Sequence, residues 1–241
     1  MVQVSDVTGG EYAARMGTDG YRRANTVLFD PEWVIVEVGF QRDNDPAQEG
    51  STEVLAQVGP PVHVIDVEPE QVQRAWELNQ RLGARDERAG RAGRGRLVAH
   101  LGLAEDVLQD WGTLVGAPIG FAWLDGHDWP YAHAPAGTWD AQEREYLRRG
   151  QEYSREASRD SHLEVARLIQ PHVPVGGVVA FDDTWELPSV LDKTPAPAPP
   201  DRAWNGKGGA AVSYLLNHGF QVTETGDIYH GLTVLRREKL T

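Results

Sequence analysis

The sequence contains no cysteine, and this absence excludes disulfide bonds and thiolate metal sites. A chain without disulfides fits a reducing compartment, so we expect a cytoplasmic protein. The sequence also lacks an apolar run of about eighteen residues, the length needed to span a bilayer. Residues 1–20 contain no basic segment followed by an apolar run, so we expect no secretory signal and no membrane partner.

Basic residues are in short supply. Lysine and arginine total 23 against 36 aspartate and glutamate residues, which gives a formal charge of −13. Because nucleic-acid affinity depends on cations that neutralise phosphates, this balance opposes nucleic-acid binding. The dense basic stretch at residues 85–96 interleaves arginine with glycine and alanine and is interpreted as a solvated connection. The sequence leaves a homo-oligomer open.

Short apolar runs alternate with amphipathic helical patterns along most of the chain. Apolar runs without polar alternation are typical of parallel strands buried on both faces. The pattern predicts an α/β fold with a Rossmann-like, doubly wound, seven-stranded sheet that is mostly parallel and ends in an antiparallel C-terminal strand pair. The predicted strands are 33–39, 61–67, 96–101, 119–124, 178–181, 220–223 and 229–236. The predicted helices are 53–58, 69–82, 104–114, 161–170 and 208–217.

The length of 241 residues suits one domain with room for an insertion. We expect a single domain over 1–241, with an N-terminal lid segment over 1–24. Residues 126–160, rich in aromatic and charged side chains, are interpreted as a partly helical insertion near the active-site face. Residues 186–207 are predicted to form a proline-rich loop.

Polar and small residues follow the first predicted strands, at the edge where open α/β sheets bind ligands. Glu37 and Gly39 end the first strand, and Ser51 and Thr52 begin the next helix after a polar loop that lacks the glycine spacing of a dinucleotide site. Such a loop suits a ligand with an ammonium and a carboxylate, although a strand ending in Glu-x-Gly is also common as plain packing.

The next two strand ends carry acids as well. Asp66, followed by Val67, ends the second strand, where an acid accepts hydrogen bonds from ribose hydroxyls, or alternatively interacts with the following helix dipole. Ala104, Glu105 and Asp106 follow the third strand, where an acid suits the exocyclic amine of adenine, or alternatively caps the helix.

The order and spacing of these strand ends resemble class I S-adenosylmethionine-dependent methyltransferases over roughly residues 25–240. The resemblance implies S-adenosylmethionine as the cofactor and methyl transfer as the activity. It implies cofactor contacts from these residues: Glu37, Gly39, Ser51, Thr52, Asp66, Val67, Ala104, Glu105, Asp106 and Asp125. A metal-independent N- or carboxyl-methyltransferase and a degenerate, non-catalytic binding protein on the same fold stay open as alternatives.

Two further segments resemble the magnesium-dependent small-molecule O-methyltransferases of antibiotic biosynthesis, including the macrolide-sugar enzymes. These are residues 124–127 (LDGH) and residues 176–183 (GGVVAFDD). The resemblance implies a natural-product or sugar hydroxyl as the acceptor and Mg²⁺ held by Asp125, Asp182 and Asp183. The alternatives are an aspartate pair that caps a loop and an acid after strand four that contacts substrate directly.

Three basic side chains are candidate catalytic residues. His127 and His133 follow the fourth strand, and histidine titrates near physiological pH, so either suits a general base. Lys207 lies between glycines just before a helix, where it suits an anion or a substrate group. Each has a plain structural alternative. Aromatic residues that suit a wall around the acceptor are Tyr12, Tyr21, Trp129, Tyr131 and Trp185.

Overall fold

The computed structural model describes residues 30–40, 51–88, 97–128, 140–186, 204–225 and 231–239. Its centre is a seven-stranded sheet that confirms the predicted fold class. The strands are β1 (Val34–Val38), β2 (Val62–Asp66), β3 (Leu97–Leu101), β4 (Ile119–Leu124), β5 (Val178–Phe181), β8 (Phe220–Thr225) and β9 (Thr233–Arg237). Their order is β3-β2-β1-β4-β5-β9-β8, in which β9 runs antiparallel to both neighbours and the pairs from β3 to β5 are parallel.

The central strands are buried on both faces. Every residue of β1, β2, β4 and β5 is buried, which explains why their sequences are apolar without alternation. Alternate residues belong to two cores. Val36 and Ala122 join the core that contains Trp111 and Leu215, whereas Ile35 and Phe121 join the core on the other face. The edge strand β8 instead alternates exposed residues with buried or half-buried ones.

Helices cover both faces of this sheet. They are α1 (Ser51–Ala56), α2 (Pro69–Arg88), α3 (Ala104–Gln109), α4 (Trp111–Leu114), α5 (Asp140–Arg148), α6 (Arg155–Ile169) and α7 (Gly209–Leu216). Ser154 caps α6, because its Oγ accepts a hydrogen bond from Ala157 N at 3.1 Å. No helix among the described residues is both long and apolar enough to cross a membrane.

The structure differs from the sequence-based prediction in several places, among them helix α6, which begins at Arg155, six residues before the predicted start at 161. Helix α2 continues six residues beyond the predicted end, into the arginine-rich stretch. The predicted helix 104–114 divides at Asp110 into α3 and α4. The predicted loop 186–207 contains a strand, Trp204–Gly206. The lid segment 1–24 and most of the proline-rich loop lie outside the described residues, so these boundaries stay predictions.

That additional strand forms a second, two-stranded sheet. Strand β6 (Thr184–Glu186) follows β5 after the turn at Asp182-Asp183 and pairs antiparallel with β7 (Trp204–Gly206). Gly206 has a φ of +86°, and a Cβ at this position would overlap the Asp183 carbonyl oxygen and lie 2.9 Å from Thr184 Cα. The pair therefore requires glycine where β7 meets the turn after β5.

We expect Gly206→Ala to lower the free energy of unfolding by about 3 kcal/mol or more, because a side chain meets both a strained φ and a backbone clash. Gly83→Ala is the control, since Gly83 lies in α2 with no heavy atom within 4 Å of an added Cβ, and it should stabilise by about 0.5–1 kcal/mol. Urea unfolding of both variants measures this. Equal effects would contradict the close approach at Gly206.

Candidate active site

A cleft opens where the carboxyl ends of β1, β2 and β3 meet the loop after β4 and helix α5. Its position is the one expected for ligand binding in an open α/β sheet. The residues that line it are Val38, Gly39, Ile65, Asp66, Val67, Gly102, Ala104, Gly126, His127, Gln142 and Tyr146. Four of the predicted cofactor residues, Gly39, Asp66, Val67 and Ala104, are among them.

Two glycines allow the loops after β1 and β4 to touch. Gly39 has a φ of +89°, and a Cβ there would lie 2.6 Å from the Asp125 carbonyl oxygen. A Cβ on Gly126 would lie 2.7 Å from Val38 Cγ1. Gly39 therefore has a packing role in addition to leaving room in the cleft, and the two loops fix each other's position.

The Asp66 carboxylate orients the cleft at the end of β2. One oxygen accepts a hydrogen bond from Phe40 N at 2.8 Å, and the other accepts one from Glu68 N at 2.8 Å. Both bonds favour the ionised acid, and they tie the loop after β1 to the start of α2. The side chain thus presents a fixed negative charge at the cleft.

Glu37 lies in the interior of β1 and does not line the cleft. It is fully buried, and its Oε1 accepts a hydrogen bond from Ser51 Oγ at 2.6 Å. Burial raises the pKa of Glu37 to about 7, although the Ser51 and Thr52 hydroxyls work against this rise. Glu37, Ser51 and Thr52 thus form a polar unit behind the cleft.

The residues after β3 divide between different environments. Ala104 lines the cleft, but Glu105 accepts a hydrogen bond from Ser161 Oγ of α6 at 2.5 Å. Burial also raises the pKa of Glu105. Asp106 is exposed. The geometry brings only the first of these three predicted cofactor residues to the cleft wall.

The loops after β4 and β5 carry a cluster of aspartates centred on one lysine. Lys207 is fully buried, and its Nζ donates to Asp125 Oδ1 at 2.6 Å and Asp128 Oδ1 at 2.8 Å. It also lies 3.4 Å from Asp183 Oδ2. A lysine ammonium has three N–H donors, so three carboxylates around it match its capacity. Asp125, Asp183 and Lys207 were singled out by sequence; Asp128 was missed, although it follows the same strand.

The charges in this lysine–aspartate cluster are strongly coupled. Burial acts to lower the pKa of Lys207, but the charges on Asp125, Asp128, Asp183 and Asp182 outweigh it and raise this pKa well above its usual value. Burial, together with the charge on Asp125, raises the pKa of Asp182 well above its usual range. The lysine is therefore charged, and Asp182 favours its neutral acid form.

His127 joins the cleft to the lysine–aspartate cluster. Its ring is buried and stacks on Tyr146, with ring centroids 3.9 Å apart, and its φ of +47° is unusual for a non-glycine residue. Ser158 Oγ of α6 donates to the His127 carbonyl oxygen. Burial lowers the pKa of His127 to about 4, so the ring is neutral at physiological pH. A backbone hydrogen bond at Glu152 acts against this lowering.

Three further side chains at or near the cleft, Gln142, Tyr146 and His162, have no local sequence pattern that marks them as site residues. Gln142 and Tyr146 of α5 line the cleft, and Tyr153 Oη donates to Gln142 Oε1 at 3.1 Å. Both cleft residues belong to the segment 126–160, whose interpretation as an insertion near the active-site face stays a prediction. His162 of α6 is buried and its pKa is lowered to about 3 by burial and by Lys207. The candidates His133, Tyr12, Tyr21, Trp129 and Tyr131 lie outside the described residues.

The geometry does not fit the predicted magnesium site. The Lys207 ammonium lies among the predicted ligands, 2.6 Å from Asp125 Oδ1 and 3.4 Å from Asp183 Oδ2. In the described ranges, no group of three or more His, Cys, Asp or Glu side chains is arranged to hold a metal ion. Magnesium at these aspartates therefore stays a prediction from sequence that the observed contacts do not support.

Because the pKa of Glu37 is raised in the folded state, the free energy of unfolding should depend on pH. Between about pH 4.5 and 7 the folded state binds a proton that the unfolded state releases, so this group's stabilisation is present below pH 4.5 and is lost as pH rises through 7. We expect Glu37→Gln to gain about 3 kcal/mol relative to wild type between pH 4.5 and pH 8, measured by urea unfolding. Glu143→Gln, at an exposed position, is the charge control. Parallel pH profiles for wild type and Glu37→Gln would contradict the assignment.

No family model and no curated protein matches this chain. Similar solved structures include an O-methyltransferase from Bacillus cereus in complex with SAH, at 12% identity and a TM-score of 0.46, covering 94% of this chain and 83% of that chain. They also include a SAH-bound methyltransferase from Podospora anserina, at 15% identity and a TM-score of 0.46, covering 92% of this chain and 78% of that chain. A third is the N-methyltransferase NodS from Bradyrhizobium japonicum, at 13% identity and a TM-score of 0.43, covering 93% of this chain and 96% of that chain. Likenesses at this level do not bear on the activity, so the function proposed below rests on the site.

Proposed function

We propose that this protein is an S-adenosylmethionine-dependent methyltransferase that methylates a hydroxyl of a small molecule. The observation that carries the proposal is the cleft itself. Two backbone N–H groups fix the Asp66 carboxylate in this cleft, beside Gly39, and the cleft lies next to the lysine–aspartate cluster. The strand order, with β9 reversed between β5 and β8, also suits the methyltransferase version of the doubly wound sheet.

The cleft residues fit the adenosyl part of the cofactor. Asp66 would accept hydrogen bonds from the ribose hydroxyls, and the small residues Gly102 and Ala104 leave space for the adenine beside Val67. The methionine part would lie against Gly39, with the polar unit of Glu37, Ser51 and Thr52 behind it. Glu105 and Asp106 lie in the first turn of α3, at the outer edge of the proposed adenine site, where either would accept a hydrogen bond from the exocyclic amine.

The acceptor would bind beside His127 and the lysine–aspartate cluster. When bound, the cofactor supplies an electrophilic methyl group on its sulfonium. The chain's own residues would orient the acceptor oxygen and exclude water, which are the main sources of acceleration in such a transfer. His127 is neutral and keeps a nitrogen lone pair, so it is the candidate to take up the hydroxyl proton, and its pKa of about 4 makes it a weak base.

The nature of the acceptor is a separate part of the proposal. A natural-product or sugar hydroxyl, as in antibiotic pathways, rests on the sequence resemblance alone. A metal-independent N- or carboxyl-methyltransferase is the second candidate, and the buried Lys207 among the aspartates favours metal independence in particular. Both candidates use the same cofactor cleft.

Calorimetric titration with S-adenosylhomocysteine tests the cofactor assignment. We expect saturable binding to the wild type, and an affinity at least roughly tenfold weaker for Asp66→Asn, because the substitution removes a charged acceptor from the cleft. Glu70→Gln is the matched control, since it removes an exposed acid four residues away that does not line the cleft. Circular dichroism checks that each variant is folded. No binding to the wild type would overturn the proposed function and favour a degenerate binding protein.

A further inference from the structure

The backbone around Lys207 is built to hold this one side chain at the aspartates. Lys207 N donates to the Asp183 carbonyl oxygen at 3.2 Å, and Gly208 N donates to Thr184 Oγ1 at 3.0 Å. A Cβ on Gly208 would lie 2.5 Å from the same Thr184 oxygen, so only glycine fits after the lysine. The two-stranded sheet of β6 and β7 therefore fixes Lys207 and Asp183 relative to each other.

The ammonium of Lys207 occupies the point at which the loop carboxylates converge. It lies within 2.8 Å of oxygens from Asp125 and Asp128 and 3.4 Å from Asp183, and its side chain has no exposure to solvent. A divalent ion would need the same carboxylate oxygens, because hard cations select these ligands. Since two cations repel strongly at such distances, the ammonium and a metal ion exclude each other.

We propose that the Lys207 ammonium is the resident cation of the acceptor site and replaces a divalent metal ion there. The catalytic role of this cation rests on the proposed function. The assignment of Lys207 as the cation rests on the distances within the cluster. Lys207 acts as a positioning residue, because it neutralises and orients Asp125 and Asp183 and is itself shielded from the cleft.

The replacement changes how an acceptor is recognised. A metal ion binds the lone pairs of two neighbouring acceptor oxygens, whereas carboxylates accept hydrogen bonds from donors. The side chains of Asp125 and Asp183 remain 37% and 36% exposed, so each reaches solvent beside the buried lysine. The acceptor would therefore approach with a hydrogen-bond donor directed at these carboxylates.

Titration with Mn²⁺, followed by calorimetry and by electron paramagnetic resonance, tests the assignment. The wild type, treated with EDTA and dialysed, should show no Mn²⁺ site that depends on the cluster. Lys207→Met should gain one site, with an affinity for Mn²⁺ at least roughly tenfold above any wild-type binding, because it leaves the carboxylates without a cation. Lys239→Met, which removes an exposed lysine, should behave as the wild type.

A second variant protects the test against loss of folding. Removing one partner of a buried ion pair is strongly destabilising, so Lys207→Met is also combined with Asp128→Asn, which leaves Asp125, Asp182 and Asp183 in place. Mn²⁺ should raise the melting temperature of either variant and not that of the wild type. A folded lysine variant without a gained Mn²⁺ site would overturn the proposal, and so would wild-type Mn²⁺ binding that Asp183→Asn abolishes. Because the probe is Mn²⁺, these outcomes are independent of S-adenosylhomocysteine binding.

Discussion

Burying the Lys207 ammonium removes it from water, which costs several kcal/mol unless carboxylates and hydrogen bonds surround it. The fold meets this requirement with aspartates from two different loops. Asp125 and Asp128 follow β4, Asp183 follows β5, and all three approach Nζ within 3.4 Å. These loops leave neighbouring parallel strands in the same direction, so the sheet alone places their carboxylates close together, whatever residue stands at position 207.

The packing around Lys207 also constrains the proposed cofactor cleft. The Asp125 carbonyl oxygen lies where a side chain on Gly39 would be, so the loop after β1 is packed directly against the backbone that carries an aspartate of the lysine–aspartate cluster. Asp66 in turn ties the residue after Gly39 to the start of α2. A rearrangement of the cluster would therefore displace the loop that borders the proposed cofactor cleft. The two halves of the site share one element, residues 125–128 after β4.

The sequence predicted the sheet well because its signal is local. Fully buried parallel strands are mostly apolar, with exceptions such as Glu37 in β1, and the end of each run marks where the ligand edge begins, as at Asp66 and Asp125. The pair β6 and β7 was not predicted, because two three-residue strands separated by a proline-rich segment have no periodicity to detect. The roles of Lys207 and Glu105 could not be derived either, since each depends on a partner more than fifty residues away. Local patterns identify which residues lie at the carboxyl ends of the strands, but they do not identify which of these residues contact each other.

This limit explains why a metal site and a lysine-filled cluster look alike in sequence. Aspartates after β4 and β5 are required in both, because both a divalent ion and an ammonium need carboxylates to offset the loss of hydration. Lys207 distinguishes them, and it lies outside the alternating strands and helices of the main sheet, between β7 and α7. Its position depends on Gly206, whose conformation lets β7 approach the Asp183 backbone closely enough for Nζ to reach Asp125. The choice of cation in this fold therefore depends on a backbone approach at one glycine and on the side chain that follows it.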